Sequence, residues 1–483
     1  MGPPGEKLKI LQYLLKTTKL WLYNVLILTI DWSNMKRIID SYLLAWKQDP
    51  HRQPLLLRGA RQVGKTFAVR ELGKTYPDFV EINLESMRRA HAVFDKDFDA
   101  VIMLSDLAVI IKKSIDPSKT LLFIDEIQAK PEALTALRYF YEQMPELHII
   151  AAGSLLDFTI NEVGVPVGRI QSCYMYPLSF MEFLAALEED QIIDAILTHD
   201  VTQEISSVVH ARALELIGQY LALGGMPGVL QRWQATRDVA SCSLVQATII
   251  DSYRQDFGKY ARQEQIKYVE NIFHAAPQQI GGKFKYSSVD GEYRRRELAP
   301  ALDLLATAGV LHKVYHSAGQ GIPLGSQIDG KDYKTILLDV GISQALLGLD
   351  LAEWFVTPEQ AFINKGSLME AFVGQELLAY GSSYQKKDLF YWHREAPSSQ
   401  AEVDYLIQKE SQVIPIEVKS GSGRTLKSIQ LFLATHEASL YGMRFSTNNY
   451  SIHNNIHSYP LYAIITAIVK KDAASFKACA ALA

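Results

Sequence analysis

Cysteine is scarce in this chain: Cys173, Cys242 and Cys479 are odd in number and far apart in 483 residues. That excludes a disulfide framework and the paired ligands of a zinc motif, and it suits a reducing compartment, so a cytoplasmic location is expected. Long apolar runs are also lacking. The one membrane-like stretch, Leu20–Ile30 (LWLYNVLILTI), is about half the ~20 residues that a bilayer crossing needs, so no membrane span is expected. Lys16 and Lys19 precede it as in a secretory leader, but Asp31, Trp32 and Ser33 follow where small residues would mark cleavage. Residues 1–34 therefore read as an upstream extension, and Met35 opens an amphipathic helix, MKRIIDSYLLAWKQDP. Charge of one sign is missing too: 49 basic against 53 acidic residues leave a net charge of −4. No global attraction for nucleic acid follows, so any such binding needs a local basic patch. Internal repeats and low-complexity tracts are absent, and 48% hydrophobic with 21% charged residues excludes a largely disordered chain.

What is present is an alternation of short apolar runs with helical stretches, the pattern of a parallel α/β sheet. Pro54–Arg58, Phe79–Leu84, Leu121–Ile124 and His148–Ala152 read as strands, apolar on both faces as strands covered by helices should be. Between the first of them and a helix lies GARQVGKT, Gly59–Thr66, which fits the pattern G-x-x-x-x-G-K-[ST]. Such a loop (Gly59, Ala60, Arg61, Gln62, Val63, Gly64, Lys65, Thr66) turns backbone N–H groups onto phosphates, and the helix after it adds its positive end. Lys65 is expected on the β- and γ-phosphates of ATP and Thr66 on Mg²⁺.

LLFIDEIQ, Leu121–Gln128, is a buried strand that ends in two carboxylates at the sheet edge where ligands bind. Asp125 is the expected partner of the Mg²⁺ shell and Glu126 the general base that polarises water. A strand-forming segment falls between the two motifs and another follows the acidic pair, an order that suits the NTPase branch with an inserted strand and a catalytic glutamate. Ser154, after the last of these strands, is a candidate for contacting the γ-phosphate or the water, against a plain strand-ending turn with Gly153. Arg169 is a candidate arginine finger, in cis or from a neighbouring subunit, against a surface ion pair.

RGARQVGKT, LLFIDEIQ, AAGSLL and GRIQSCYMYPLSFMEFL, in that order, resemble the AAA+-like ATPases of bacteria and archaea that carry a C-terminal domain of unknown function. The likeness continues through YLALGGMPGVL, DSYRQDFGKYA, KTILLDVGI, GSLMEAFVGQELL and EVDYLI…IPIEVKSG, from Met35 to about Gly421. It implies ATP binding and architecture more firmly than a biological task.

Near the C-terminus, Asp404 followed by Glu417-Val-Lys419 resembles the active-site order of PD-(D/E)XK nucleases. Residues i and i+2 of a strand share a face, so Glu417 and Lys419 project together, and a hairpin through Lys409–Ser411 would bring Asp404 beside them. Two carboxylates could then hold Mg²⁺ while Lys419 orients water, with Glu376 of the preceding helix completing the shell. Alternating charge on two half-solvated strands gives the same letters, and the nuclease fold persists where activity is lost. Upstream, Arg294–Arg296 open a helix that leads through Gly309 into a strand, a winged-helix-like element that could meet DNA phosphates, or a solvated helix face flanked by Glu292 and Glu297.

The expected architecture is α/β: an extension (1–34), a P-loop ATPase domain (35–177), a helical lid (178–260), a winged-helix-like region (261–347) and a restriction-endonuclease-like domain (348–483). Two functions remain open: an ATPase acting on DNA, and a nucleotide-dependent switch for a protein partner with an inactive nuclease-like domain. Oligomerisation is compatible with either. A small-molecule kinase suits the Asp125–Glu126 pair poorly.

Overall fold

The computed structural model describes residues 37–95, 98–164, 168–356, 358–396, 399–409, 411–420 and 426–469. The expected extension at 1–34 and Cys479 lie outside the described residues. Helix α1 (Ile38–Gln48) leads into strand β1 (Leu55–Arg58), the P-loop and α2 (Lys65–Gly73). Next come β2 (Asp78–Asn83), α3 (Ala100–Ile111), β3 (Thr120–Asp125), α4 (Glu132–Gln143), β4 (His148–Ala152), α5 (Leu156–Val163) and β5 (Gln171–Tyr174). The five strands form one parallel sheet in the order β2-β3-β4-β1-β5, so β4 separates the P-loop strand from the acid-bearing strand.

Strand periodicity explains why this sheet is apolar on both sides. Leu55, Leu57, Leu121, Phe123 and Ile150 face one core, while Leu56, Leu122, Ile124, Ile149 and Ala151 face another against α3 and α4. All six residues of β3 are buried, whereas β2 at the edge alternates. β5 escapes a sequence reading because QSCY holds no apolar run; it is a strand because Leu55–Arg58 pair with it.

A helical region follows: α6 (Phe180–Ala186), α7 (Asp190–Thr198), α8 (Ser207–Leu223), α9 (Pro227–Thr236), α10 (Val239–Tyr260) and α11 (Ile266–Ala275). Among the described residues no single helix is long and apolar enough to cross a membrane; α8 and α9 pass such a test only as a pair bent by 117°, and their apolar residues lie in the main core.

The remainder is α12 (Arg295–Thr307), β6 (Leu311–Ser317), β7 (Ile328–Leu337), α13 (Val340–Leu347), α14 (Glu353–Val356), α15 (Pro358–Asn364) and α16 (Gly366–Ala379). After these come β8 (Leu389–Ala396), β9 (Ser399–Lys409), β10 (Gln412–Lys419), α17 (Lys427–Thr435), β11 (Gly442–Ser446), β12 (Ser451–His453), β13 (Ile456–Pro460) and α18 (Ile464–Val469). Eight strands make one mixed sheet, β12-β13-β11-β10-β9-β8-β6-β7. The hairpin β6–β7 falls within the region expected to be winged-helix-like (261–347), yet it is built into this sheet, because β6 pairs in parallel with β8 from Val314–Leu389 to His316–Tyr391. The sheet therefore crosses the line drawn at 347/348, and a single apolar cluster runs from α1 through the helical region to β11.

Candidate functional site

The P-loop leaves β1 through Gly59, where φ is +145° and a Cβ would stand 2.2 Å from the Met175 carbonyl oxygen. It enters α2 through Gly64 at φ +101°. Both positions require glycine, and a loop of this kind can turn the first N–H groups of the helix that follows toward a phosphate. The Lys65 ammonium donates to the carbonyls of Gly59 and Ala60, each at 2.8 Å, the position from which it can transfer to phosphate oxygens. Burial pushes its pKa down to about 8, with Glu126 and Asp125 opposing that shift. The Thr66 hydroxyl donates to Asp125 Oδ2 at 3.1 Å, so loop and acidic strand meet at one point. Burial, and then the neighbouring Glu126, raise the Asp125 pKa, a strain that a bound cation would relieve.

Glu126 follows in the left-handed region at φ +50°, which turns its side chain away from β3 and toward a cavity of about 460 Å³. Gln128 Nε2 donates to its carboxylate. The cavity is lined by Arg61, Glu126, Ser154, Lys259 and Arg262 among others, so Ser154, just past β4, and the glutamate face the same space. Arg169 is elsewhere. It precedes β5, at the edge where the strands begin, and pairs with Glu142 of α4 at 2.8 Å, whereas the P-loop is at the edge where they end. A finger role for Arg169 within its own chain is thereby ruled out by placement.

Several residues of this site had no motif to announce them. Arg37 donates to the Val63 carbonyl of the P-loop and to the Tyr176 carbonyl, each at 2.9 Å, and its Nε pairs with buried Glu182 at 2.9 Å. Asp256 of α10 binds Arg61 Nη1 with Oδ2 at 2.6 Å, Tyr253 donates to the Arg61 carbonyl at 2.9 Å, and Lys259 pairs with Asp256 at 3.1 Å. The only sequence signal was the segment DSYRQDFGKYA, which contains three of these residues. Helix α10 thus grips the nucleotide loop directly. Replacing Asp256 with Asn should free Arg61, leave ATP bound at least as tightly, and uncouple α10. Limited proteolysis of the helical region should give distinct patterns with ATP and ADP in wild type and one pattern for both in the variant.

The second constellation has a different outcome. Asp404 on β9 and Glu417 on β10 sit side by side, with the Val418 N–H donating to Asp404 Oδ2 at 2.7 Å and Lys419 pairing with Glu417 at 2.6 Å. Glu376 does not join them. It is buried against α6, where it accepts the Phe180 N–H at 3.0 Å, and burial raises its pKa to about 8. The carboxylate that α16 contributes is Glu370, whose oxygen lies with those of Glu402 and Asp404 inside a 4.8 Å cluster.

That cluster already contains a cation. The Lys334 ammonium of β7, 1% exposed, is 2.8 Å from Glu370 and 4.0 Å from Asp404 and also pairs with Glu402. Burial alone would lower the Lys334 pKa, but Glu370, Asp404 and Glu402 outweigh it and hold the group charged. The donor set would suit a hard divalent ion, yet with Lys334 in place the residues do not fit one: a fixed ammonium stands among the oxygens that would have to hold it.

The sheet order, the loop and the acidic pair define a class, and one family model agrees with it. Residues 51–184 match the family model described as AAA domain. Residues 214–353 and 365–464 match two models described as domains of unknown function, DUF8612 and DUF4143. A Walker-type ATPase of Pyrococcus abyssi is similar in structure at 15% identity and TM-score 0.40, over 64% of this chain and 94% of that one. The Orc1 protein of Aeropyrum pernix, solved in complex with DNA, is similar at 12% identity and TM-score 0.26, over 67% and 95%. A signal-transduction ATPase of the STAND type from Pyrococcus horikoshii, with a tetratricopeptide repeat sensor, is similar at 10% identity and TM-score 0.23, over 69% and 47%. Among curated proteins no sequence matches. Residues 51–184 of this chain thus carry an AAA domain with the P-loop fold, the part of the molecule that would bind ATP.

Proposed function

We propose that this chain hydrolyses ATP with Mg²⁺ and uses the change of nucleotide state to shift its helical region, as a switch whose C-terminal carboxylate cluster does not cleave phosphodiesters. The observation that carries the first half is the 3.1 Å hydrogen bond from Thr66 to Asp125, with Glu126 on the adjoining cavity. Mg²⁺ bound at Thr66 and Asp125 would neutralise charge on the β- and γ-phosphate oxygens. Lys65 leaves its carbonyl partners for those phosphates, Glu126 takes the proton of the attacking water, and Ser154 orients that water or the γ-phosphate. Lys259 and Arg262, on the cavity wall, add positive charge where the transition state needs it. Any role for Arg169 is in trans, on the site of a second copy.

The nucleotide state reaches the rest of the molecule through two contacts. One is Arg61 to Asp256 on α10. The other is the connection Tyr176–Phe180, held by Arg37 at one end and by Glu376 of α16 at the other. The second half of the proposal rests on Lys334, which substitutes for a catalytic metal among Glu370, Glu402 and Asp404. Lys65→Ala should weaken ATP binding by at least ~100-fold, as expected when a charge-assisted phosphate contact is lost, read by equilibrium titration of a fluorescent ATP analogue. Binding at wild-type strength would remove the P-loop assignment. The DNA reading retains one observation, that Arg294, Arg295 and Arg296 are all exposed at the start of α12. Turnover stimulated by duplex or single-stranded DNA would favour it over the switch.

A further inference from the structure

We propose that His316, Asp332 and His393 form a binding site for one divalent first-row transition ion, with Zn²⁺ and Co²⁺ as fitting examples, beside the carboxylate cluster of the second sheet.

The three residues come from adjacent strands β6, β7 and β8, and one ligand atom from each lies within 4.8 Å of the others. Donors on an ion with bonds of about 2.1 Å stand roughly 3.4 Å apart, so side-chain shifts of about an ångström complete the site. Its chemistry is two imidazoles and one carboxylate, a set that takes Zn²⁺, Co²⁺, Fe²⁺ or Ni²⁺ in preference to Mg²⁺. The β6–β7 and β6–β8 pairings fix the spacing, with His316 opposite Tyr391 and next to the register shift on β6.

The His316 ring points to a ligand role. Its Nε2 is buried without a hydrogen-bond partner, while the His393 backbone interacts with the ring. A buried polar atom without a partner is costly, and metal ligation is one way to satisfy it.

Two of the ligands already meet, with His393 Nε2 2.9 Å from Asp332 Oδ2. The Tyr391 hydroxyl acts as an outer shell: it donates to Asp332 Oδ1 and orients the carboxylate. Lys283 pairs with Asp332 at 2.6 Å, and its side chain is 44% exposed. Unlike buried Lys334, it can move into water at small cost and give up its place to an ion. His393 is also the cross-strand partner of Glu402, so the site adjoins the cluster that Lys334 neutralises. The sheet then carries two cation positions: one filled by a side chain that cannot leave, and one guarded by a side chain that can.

The test is titration of the full, untagged, chelator-treated chain with Co²⁺, read by its visible ligand-field bands, followed by displacement with Zn²⁺. One Co²⁺ per chain with imidazole-type bands is expected. His316→Ala and His393→Ala should each weaken binding by ~100-fold or more. Lys283→Met should tighten it several-fold, because a competing ammonium is gone. ATP hydrolysis at the wild-type rate would report that each variant is folded. The proposal is overturned if wild type binds no Co²⁺, or if it binds equally well in both histidine variants. Should those variants misfold, unchanged affinity in Lys283→Met would overturn it instead.

Discussion

Glu126→Gln is expected to lower steady-state ATP hydrolysis by about 10²–10⁴-fold, the usual contribution of a positioned general base, while ATP still binds. The amide keeps the size of the carboxylate and its place after β3, but it cannot accept a proton from water. The binding contacts are made by other atoms: the loop N–H groups, Lys65, and the Thr66–Asp125 pair at 3.1 Å. Loss confined to turnover therefore separates the base from the cradle. The check is phosphate release at saturating ATP with retention of labelled nucleotide on the variant. Gln128 donates to Glu126 in the wild type, and the substituted amide still offers it an oxygen, so the local hydrogen bond has a means of surviving. A variant that turns over at the wild-type rate would reassign the base, with Glu85, another acid on the cavity wall, as the alternative to examine.

The candidate nucleotide site was legible in the sequence because its parts are local. A loop of eight residues and two acids after a run of apolar residues fix Gly59–Thr66, Asp125 and Glu126 without knowledge of the rest. The strands around them were legible for the same reason: Leu56 and Leu122 face one core while Leu57 and Leu121 face the other, and that double burial is written as an unbroken apolar run. Contacts made across the fold left no such trace. Arg37 reaches Val63 from before α1, and Asp256 reaches Arg61 from a helix 195 positions away, so neither has a motif. Glu376 was the wrong glutamate of α16 for a reason of phase. Glu370 lies six residues earlier, and at 3.6 residues per turn the two point about 120° apart, one to the carboxylate cluster and the other to α6. Arg169 illustrates the same limit: its neighbours in sequence match, but the loop before β5 is at the far edge of the sheet. Lys334 was invisible because one lysine among the charged residues of IDGKDYKTIL acquires its meaning only from Glu370, Glu402 and Asp404, none of which is near it in the chain.

Lys334→Met should be the most destabilising single change, by about 3–5 kcal/mol at neutral pH, the range for removing one partner of a buried ion pair. Methionine fills the stem's volume but leaves Glu370, Glu402 and Asp404 without their cation. Three carboxylates so close cannot all ionise, so the variant must take up protons or an ion. In the wild type, burial already raises Glu370 and Asp404, with Lys334 opposing the rise in both. Without that opposition their folded-state pKa values climb further above the unfolded ones. The folded variant then binds more protons than the unfolded chain, and its stability falls as pH rises through that window. The deficit relative to wild type should accordingly be smallest near pH 5 and largest near pH 8, read as the difference in apparent unfolding temperature across buffers. Mg²⁺ should restore part of the loss in Lys334→Met and have no such effect on wild type without nucleotide, because only the variant has room and charge for a hard ion in this cluster. A deficit independent of pH, with no rescue by Mg²⁺, would mean that the lysine acts by packing alone. Its role as a built-in cation, and with it the reading of this cluster as non-cleaving, would then fail.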